Sequence, residues 1–310
     1  MPIIKKDDVA PERPVIIVIY GVPGSGKTSV AITAKLPILI DTDRGYDRAA
    51  LRVDTLTAQK WTDVTTETET IKQYKTVVLD TAKAALDDYL SAYVCEQNYK
   101  LKTNGLKRFG QMADEFKQFI NMLRANGQDL VIICHDKETQ EGDVIKHAPD
   151  CTGQSKDLLI RIADQVGYIG IQNRQRVITF EPVDNFVGKN VAQLGTLPIP
   201  DASTREFSTC MADIIAQVKK SIQSKSEAQR KAQELLESLR ERLAGVETEE
   251  DVEALLKDAK LLPDILKSPF FDEVKETLAP KDFEFDAKKK KFVKKQTDEP
   301  SETAGESDPA

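Results

Sequence analysis

Gly21, Val22, Pro23, Gly24, Ser25, Gly26, Lys27 and Thr28 follow the spacing G-x-x-x-x-G-K-[ST], and Ser29 comes directly after it as a further candidate for the nucleotide site. That spacing is a phosphate-binding signature. Glycines at 21, 24 and 26 let the backbone turn tightly, so its N–H groups can face an anion. The helix that follows adds its positive N-terminal end. Lys27 is spaced to reach β- and γ-phosphates, and the Thr28 hydroxyl to reach Mg2+. The expected ligands are ATP and Mg2+.

Three further groups sit where strands run out. Asp80 ends "TVVLD", the form in which a carboxylate holds the Mg2+ shell; its plainer reading is a cap for the helix beginning at Thr81. Asp41 and Asp43 follow "ILI". Their alternation puts both side chains on one side of an extended backbone, where one of them can polarise an attacking water. The other reading is a loop-forming D-x-D turn; Asp43 is the preferred catalytic acid. His135 closes "LVIIC", at a position to bond the γ-phosphate or the attacking water, or simply to make a local strand-end bond.

The elements that must carry these groups are legible. "VIIVIY" (15 to 20) is a β-branched run, apolar on both faces, as a buried parallel strand requires. "KTSVAITAKL" predicts a short helix stopped by Pro37. "ILI", "TVVLD" and "LVIIC" predict buried strands, with a weaker one near "LRVDTL" (51 to 56). Ala82, Leu86, Tyr89, Leu90 and Tyr93 share a helical face, as do Met112, Phe116, Phe119, Ile120 and Leu123. Residues 95 to 110 and 136 to 155 read as polar loops. "VGYIGI" and "RVITFEP" predict an antiparallel hairpin at the sheet edge. This order implies a three-layer α/β P-loop NTPase fold with a mainly parallel sheet.

Composition narrows the class. The net charge is -7 and aromatic residues make up 6%, so any nucleic-acid surface must be a local basic patch rather than the whole exterior. The four cysteines have no C-x-x-C pair, which predicts reduced thiols without a zinc site or disulfide frame. Two histidines exclude a His-rich metal site. No apolar run is long enough to span a membrane, and "MPIIKKDDVAPERP" has no signal-peptide core, so the expected location is the cytoplasm. The expected organisation is a flexible lead (1–13), an ATPase core (14–208), a helical extension (209–277) broken at Pro263 and Pro269, and a charged, disorder-prone tail (278–310). The tail runs from the basic "KKKKFVKK" into an acidic end.

The order of phosphate loop, strand ending D-T-D, strand ending V-V-L-D, amphipathic helix and strand ending C-H resembles the RecA-type ATPase core. It is more closely similar to the RecA-like, AAA-family ATP-binding proteins of phages and prophages, which include single-strand annealing recombination proteins. "LIDTDRGYDRA", "GLKRFGQM", "LVIICHDKE" and "FVGKN…LP" carry the likeness over about residues 15 to 200. The resemblance implies an ATPase that acts on single-stranded DNA in recombination, annealing or replication. It also implies a homo-oligomer, with a single-strand-binding or replication protein as a further partner. Asp43 takes the position of a water-activating Glu, with a shorter side chain, and His135 that of a polar switch residue. The two stretches that match DNA-binding loops are 95 to 110 and 136 to 155. In the first, Lys100, Lys102, Lys107 and Arg108 are candidate phosphate contacts; the second mixes Lys137 and Lys146 with acids, and Lys156 follows directly after it. Arg174, Arg176 and Lys189 are candidates for completing a neighbouring subunit's site. Two other readings of the residues stand beside this one: a P-loop small-molecule phosphotransferase, and an ATP-gated adaptor or loader.

Overall fold

The computed structural model describes residues 11–286 and 291–294. The chain divides into two compact units, 11–224 and a second built from 225 onward.

The first unit is built on β1 (Ile16–Gly21), whose six residues are all buried. A strand apolar on both faces needs a layer on each side, and alternate residues serve the two. Ile16, Val18 and Tyr20 join one core with Trp61, Phe116 and Phe119. Ile17 and Ile19 join the other with Val30, Met211 and Ile214.

After α1 (Lys27–Ala31) come β2 (Pro37–Asp41), β3 (Asp54–Thr57), α2 (Trp61–Thr66), α3 (Thr68–Ile71) and β4 (Thr76–Asp80). A π-helical segment over Ala84–Leu90 leads into α4 (Ser91–Gln97), followed by α5 (Gly105–Ala125). Next are β5 (Asp129–Glu141), β6 (Val144–Pro149), α6 (Gly153–Ile162), β7 (Gln165–Gln172), β8 (Gln175–Thr179), β9 (Lys189–Asn190) and β10 (Leu197–Pro198). Ten strands form one sheet, with the path β10-β8-β7-β1-β5-β4-β2-β3; β6 pairs with β5 and β9 with β7. The strands from β7 to β3 along that path are mutually parallel, and the β7–β8 edge hairpin is antiparallel. This is the three-layer, mainly parallel α/β architecture that the sequence predicts.

Register brings the chemistry together. Gly21 stands opposite His135, and Asp41 opposite Asp80. The ends of β1, β2 and β4, which carry the phosphate loop and the acids, therefore share one edge of the sheet, where open α/β sheets bind ligands; His135 stands level with them but does not end its strand, because β5 runs on to Glu141.

Two stretches read as loops are not loops. Within 95 to 110, α4 runs to Gln97, a 3-10 turn covers Tyr99–Lys102, and α5 already begins at Gly105. Its first turn exposes Leu106, so the apolar periodicity starts only further along the helix. Within 136 to 155, β5 continues to Glu141 and pairs antiparallel with β6. Much of this ribbon is exposed, so it lacks the alternation that marks a half-buried strand.

α7 (Cys210–Ala244) starts near the expected end of the core, but its first turns bury Met211, Ile214, Ile215 and Val218 there, and the division falls after Ser224. In the second unit, α8 (Glu249–Ala259) and α9 (Asp264–Leu278) pack around Leu239, Leu255, Phe270 and Val274. Pro263 caps α9, but Pro269 lies inside it without ending it. The tail expectation is also corrected in part. β11 (Phe283–Asp286) pairs with β12 (Lys291–Lys294), and Phe283 and Phe292 are buried in the same core. Residues 287–290 and 295–310 of the tail, and 1–10 of the lead, lie outside the described residues. At the lead's end Arg13 is anchored by a bidentate bond to Asp164, at 2.6 and 3.1 Å. No helix among the described residues is long and apolar enough to cross a membrane.

Candidate functional site

The loop between β1 and α1 is held by packing that only glycine permits. A β-carbon at Gly21 would stand 2.5 Å from the Ile169 carbonyl oxygen on β7. Gly26 has φ +86, and a β-carbon there would meet Arg176 Nη1 at 2.8 Å. The Lys27 ammonium donates to the carbonyls of Gly21 (2.8 Å) and Val22 (2.9 Å). Burial lowers its pKa, and the Asp80 and Asp136 carboxylates oppose that shift. Thr28 Oγ1 donates to Asp80 Oδ2 at 2.6 Å. Ser25 Oγ is buried without a hydrogen-bond partner. Val22 and Pro23 are exposed, and Ser29 Oγ accepts from the Ala50 N–H at 3.0 Å.

Asp80 is buried and does not cap the helix that follows. Burial pushes its pKa up; the Thr28 hydroxyl lowers it, while Asp41 and Asp43 raise it further. Thr28 and Asp80 therefore offer adjacent hard oxygen donors at the start of α1, the donor chemistry that Mg2+ prefers. The buried, unpartnered Ser25 hydroxyl and the Lys27 ammonium beside them suit phosphate oxygens. The residues fit a Mg2+–nucleotide pair.

The two acids at and just after the end of β2 separate in role. Asp41 is buried and accepts from the N–H groups of Asp43 (3.1 Å), Gly45 (3.2 Å) and Tyr46 (3.0 Å). It is the turn-forming member of D-x-D. Asp43 is exposed, and its Oδ2 lies 3.4 Å from His135 Nε2. The other ring nitrogen of His135 is buried without a partner, and its carbonyl accepts from Asp150 N–H at 2.9 Å, where the β5–β6 ribbon returns.

Two residues with no motif signal also build the edge. Thr42 Oγ1 accepts from Thr81 N–H at 2.9 Å, and Thr42 N–H donates to the Asp80 carbonyl at 2.7 Å, tying β2 to β4. Tyr89 donates to the Thr42 carbonyl at 3.0 Å. The sequence shows Tyr89 only as one position on an apolar helical face.

The remaining predicted residues scatter. Lys100 and Lys102 lie on the 3-10 turn, and Lys107 and Arg108 in the first turn of α5. Tyr99, 74% exposed, stands beside them with the Lys102 ammonium 4.6 Å from its ring centre. Lys146 is paired with Glu141. The three candidates for completing a neighbouring subunit's site are held in different ways. Arg174 sits at the tip of the β7–β8 hairpin with φ +64. Lys189 donates to the Ile160 and Arg161 carbonyls at the end of α6, a helix-terminal bond. Arg176 lies against this chain's own phosphate loop. The four cysteines are free and buried.

The family model described as an AAA domain matches residues 13–191. No curated protein matches the chain. Among solved structures, the chain is similar to the RadB recombinase at 16% identity and a TM-score of 0.36, over 54% of this chain and 81% of that one.

Proposed function

The chain belongs to the AAA domain family, and on that basis we propose that it is a Mg2+-dependent ATPase of RecA-like type. It acts on single-stranded DNA in phage-type recombination, annealing or replication. The observation that carries the reading is the shared strand edge. Thr28 bonded to Asp80 and Lys27 on the loop carbonyls stand at the same edge as the Asp43–His135 pair.

In the proposed reaction, loop N–H groups and Lys27 bind the β- and γ-phosphates. Thr28 and Asp80 would hold a metal ion, which would supply charge neutralisation on the phosphate oxygens. Asp43 orients the attacking water and accepts its proton, and His135 holds the Asp43 carboxylate. Lys27 offsets the charge that develops on the transferring group. Arg176, beside Gly26, adds a second cation to the phosphates of its own subunit. His135 bonds Asp43 through its ring and Asp150 through its carbonyl, so the water-binding side is tied to the ribbon after it.

The DNA surface in this reading is the patch around Tyr99. Four cations and an exposed aromatic ring combine backbone neutralisation with a stacking face, the pairing that single strands favour. The test is binding of a fluorescent oligonucleotide, without and with ATP, over a salt series. We expect salt-sensitive binding, and a variant with Lys100, Lys102, Lys107 and Arg108 all changed to Ala to lose about tenfold or more in affinity at low salt. Absence of binding at low salt would remove the DNA part and favour the adaptor or phosphotransferase reading. Unchanged binding by the variant would move the surface elsewhere.

A further inference from the structure

The root of the β5–β6 ribbon gathers three groups, of which the nucleotide reading uses only Asp136, through its field on Lys27. Glu138 and His147 are directly opposite cross-strand partners. Asp136 lies two residues before Glu138 and so projects from the same face of the ribbon. One ligand atom from each residue lies within 4.8 Å of the others. We propose that Asp136, Glu138 and His147 form a site for a divalent transition-metal ion, distinct from the Mg2+ position at Thr28 and Asp80.

The first argument is an unmet demand for charge and bonding. The Asp136 side chain is 2% exposed, and its Oδ2 lies 2.6 Å from His147 Nδ1. Its Oδ1 is buried with no hydrogen-bond partner. A carboxylate taken out of water needs its lone pairs met, and a half-satisfied one is costly. Lys27 does not meet the need by contact, because its ammonium bonds to the loop carbonyls.

The second argument is that the imidazole is held in place. His147 N–H donates to the Asn185 carbonyl at 2.8 Å, and its own carbonyl accepts from Val187 N–H at 3.0 Å. The ring lies 5.1 Å from that of Tyr168 and 5.8 Å from that of Phe186, and those two rings stack at 4.8 Å. A histidine fixed this firmly keeps one orientation toward its partners, the preorganisation that a metal ligand requires. Glu138 is exposed, so its side chain can swing onto the ion.

The donor set selects the ion. One imidazole and two carboxylates, with no thiolate, suit Zn2+ or Mn2+. Donors about 2.0–2.1 Å from a tetrahedral ion stand about 3.3 Å apart. Binding therefore opens the Asp136–His147 contact, and any proton shared between them leaves to solvent. The ion would fasten the ribbon at the residue next to His135.

The test uses the full chain, stripped with chelator and free of nucleotide, titrated calorimetrically with ZnCl2 and then MnCl2 alone. The Mn2+ arm guards against binding by the cysteines, because thiolates favour softer ions. We expect one ion per chain, affinity reduced about tenfold or more in Glu138→Gln and in His147→Gln, and no change in Asp80→Asn. Glu138 is at the exposed rim, so its variant should keep the wild-type melting profile. Absence of binding in the wild type, or equal affinity in wild type and Glu138→Gln, would overturn the proposal. Zinc or manganese binding without any ATP turnover would leave the metal site standing and remove the ATPase reading.

Discussion

Lys27→Ala should reduce ATP turnover by on the order of 100- to 1,000-fold or more, the loss that follows when a preorganised charge is removed from a transition state. Burial makes the ammonium costly, yet Asp80 and Asp136 oppose its pKa shift and favour the charged form. Its hydrogen bonds go to two loop carbonyls, so the cation already stands where phosphate oxygens are expected. The effect on the fold should be small, about 1–2 kcal/mol for those bonds. Phosphate release measured alongside thermal melting separates the two: turnover is lost while the melting profile is nearly kept. The same variant tests the Arg176 assignment. If Arg176 serves its own subunit's site, mixing Arg176→Ala with Lys27→Ala recovers no activity, because each chain lacks a part of its own site. Recovery on mixing would mean that Arg176 acts on a neighbour.

Asp43→Asn should keep nucleotide binding and lose turnover by on the order of 100- to 10,000-fold, the range for removal of a general base. The amide has the carboxylate's shape but cannot take a proton from water. The Asp43 side chain contacts His135, and the phosphate loop is held by other residues. Binding of a fluorescent ATP analogue, measured beside phosphate release, should show affinity retained and turnover lost. Normal turnover would assign the base elsewhere. Asp41→Ala should behave differently. It strips the acceptor from three backbone N–H groups, so it should cost about 1–3 kcal/mol of stability. Activity lost through Asp41 would then track unfolding, whereas activity lost through Asp43 would not.

The buried strands were legible because their apolar residues form continuous runs ended by Gly, Asp or His. That pattern put Gly21, Asp41 and Asp80 at strand ends before any register was known, whereas His135 follows the buried part of a strand that runs on to Glu141. Register was not legible, yet it sets Gly21 opposite His135 and Asp41 opposite Asp80. The division of labour between Asp41 and Asp43 was likewise hidden, since the sequence shows two acids and not which one meets three N–H groups. The β5–β6 ribbon was missed because it is largely exposed and "DKETQE" carries no apolar alternation. The start of α5 was missed for a related reason: its first turn exposes Leu106. The place of Arg176 beside Gly26 was not legible, because nothing in "QNRQR" says that the hairpin folds back on the loop. That contact follows from β7 lying beside β1 and β8 beside β7.

Pro269 marks the limit of punctuation as a signal. A proline inside a helix removes one N–H donor, but α9 continues through it, with Phe270 and Val274 buried beyond. The buried face outweighs the missing bond. The tail follows the same logic: Phe283 and Phe292 are too few to mark strands in a charged sequence, but together they close the second unit's core.

The central claim is hydrolysis at one shared strand edge, coupled to single-stranded DNA. It is tested most directly by steady-state phosphate release from Mg2+–ATP by the wild-type chain, with and without an oligonucleotide and with Lys27→Ala as reference. Release should need Mg2+, exceed the reference and rise when single-stranded DNA is added. Release no greater than that of Lys27→Ala, with DNA present or absent, would contradict it.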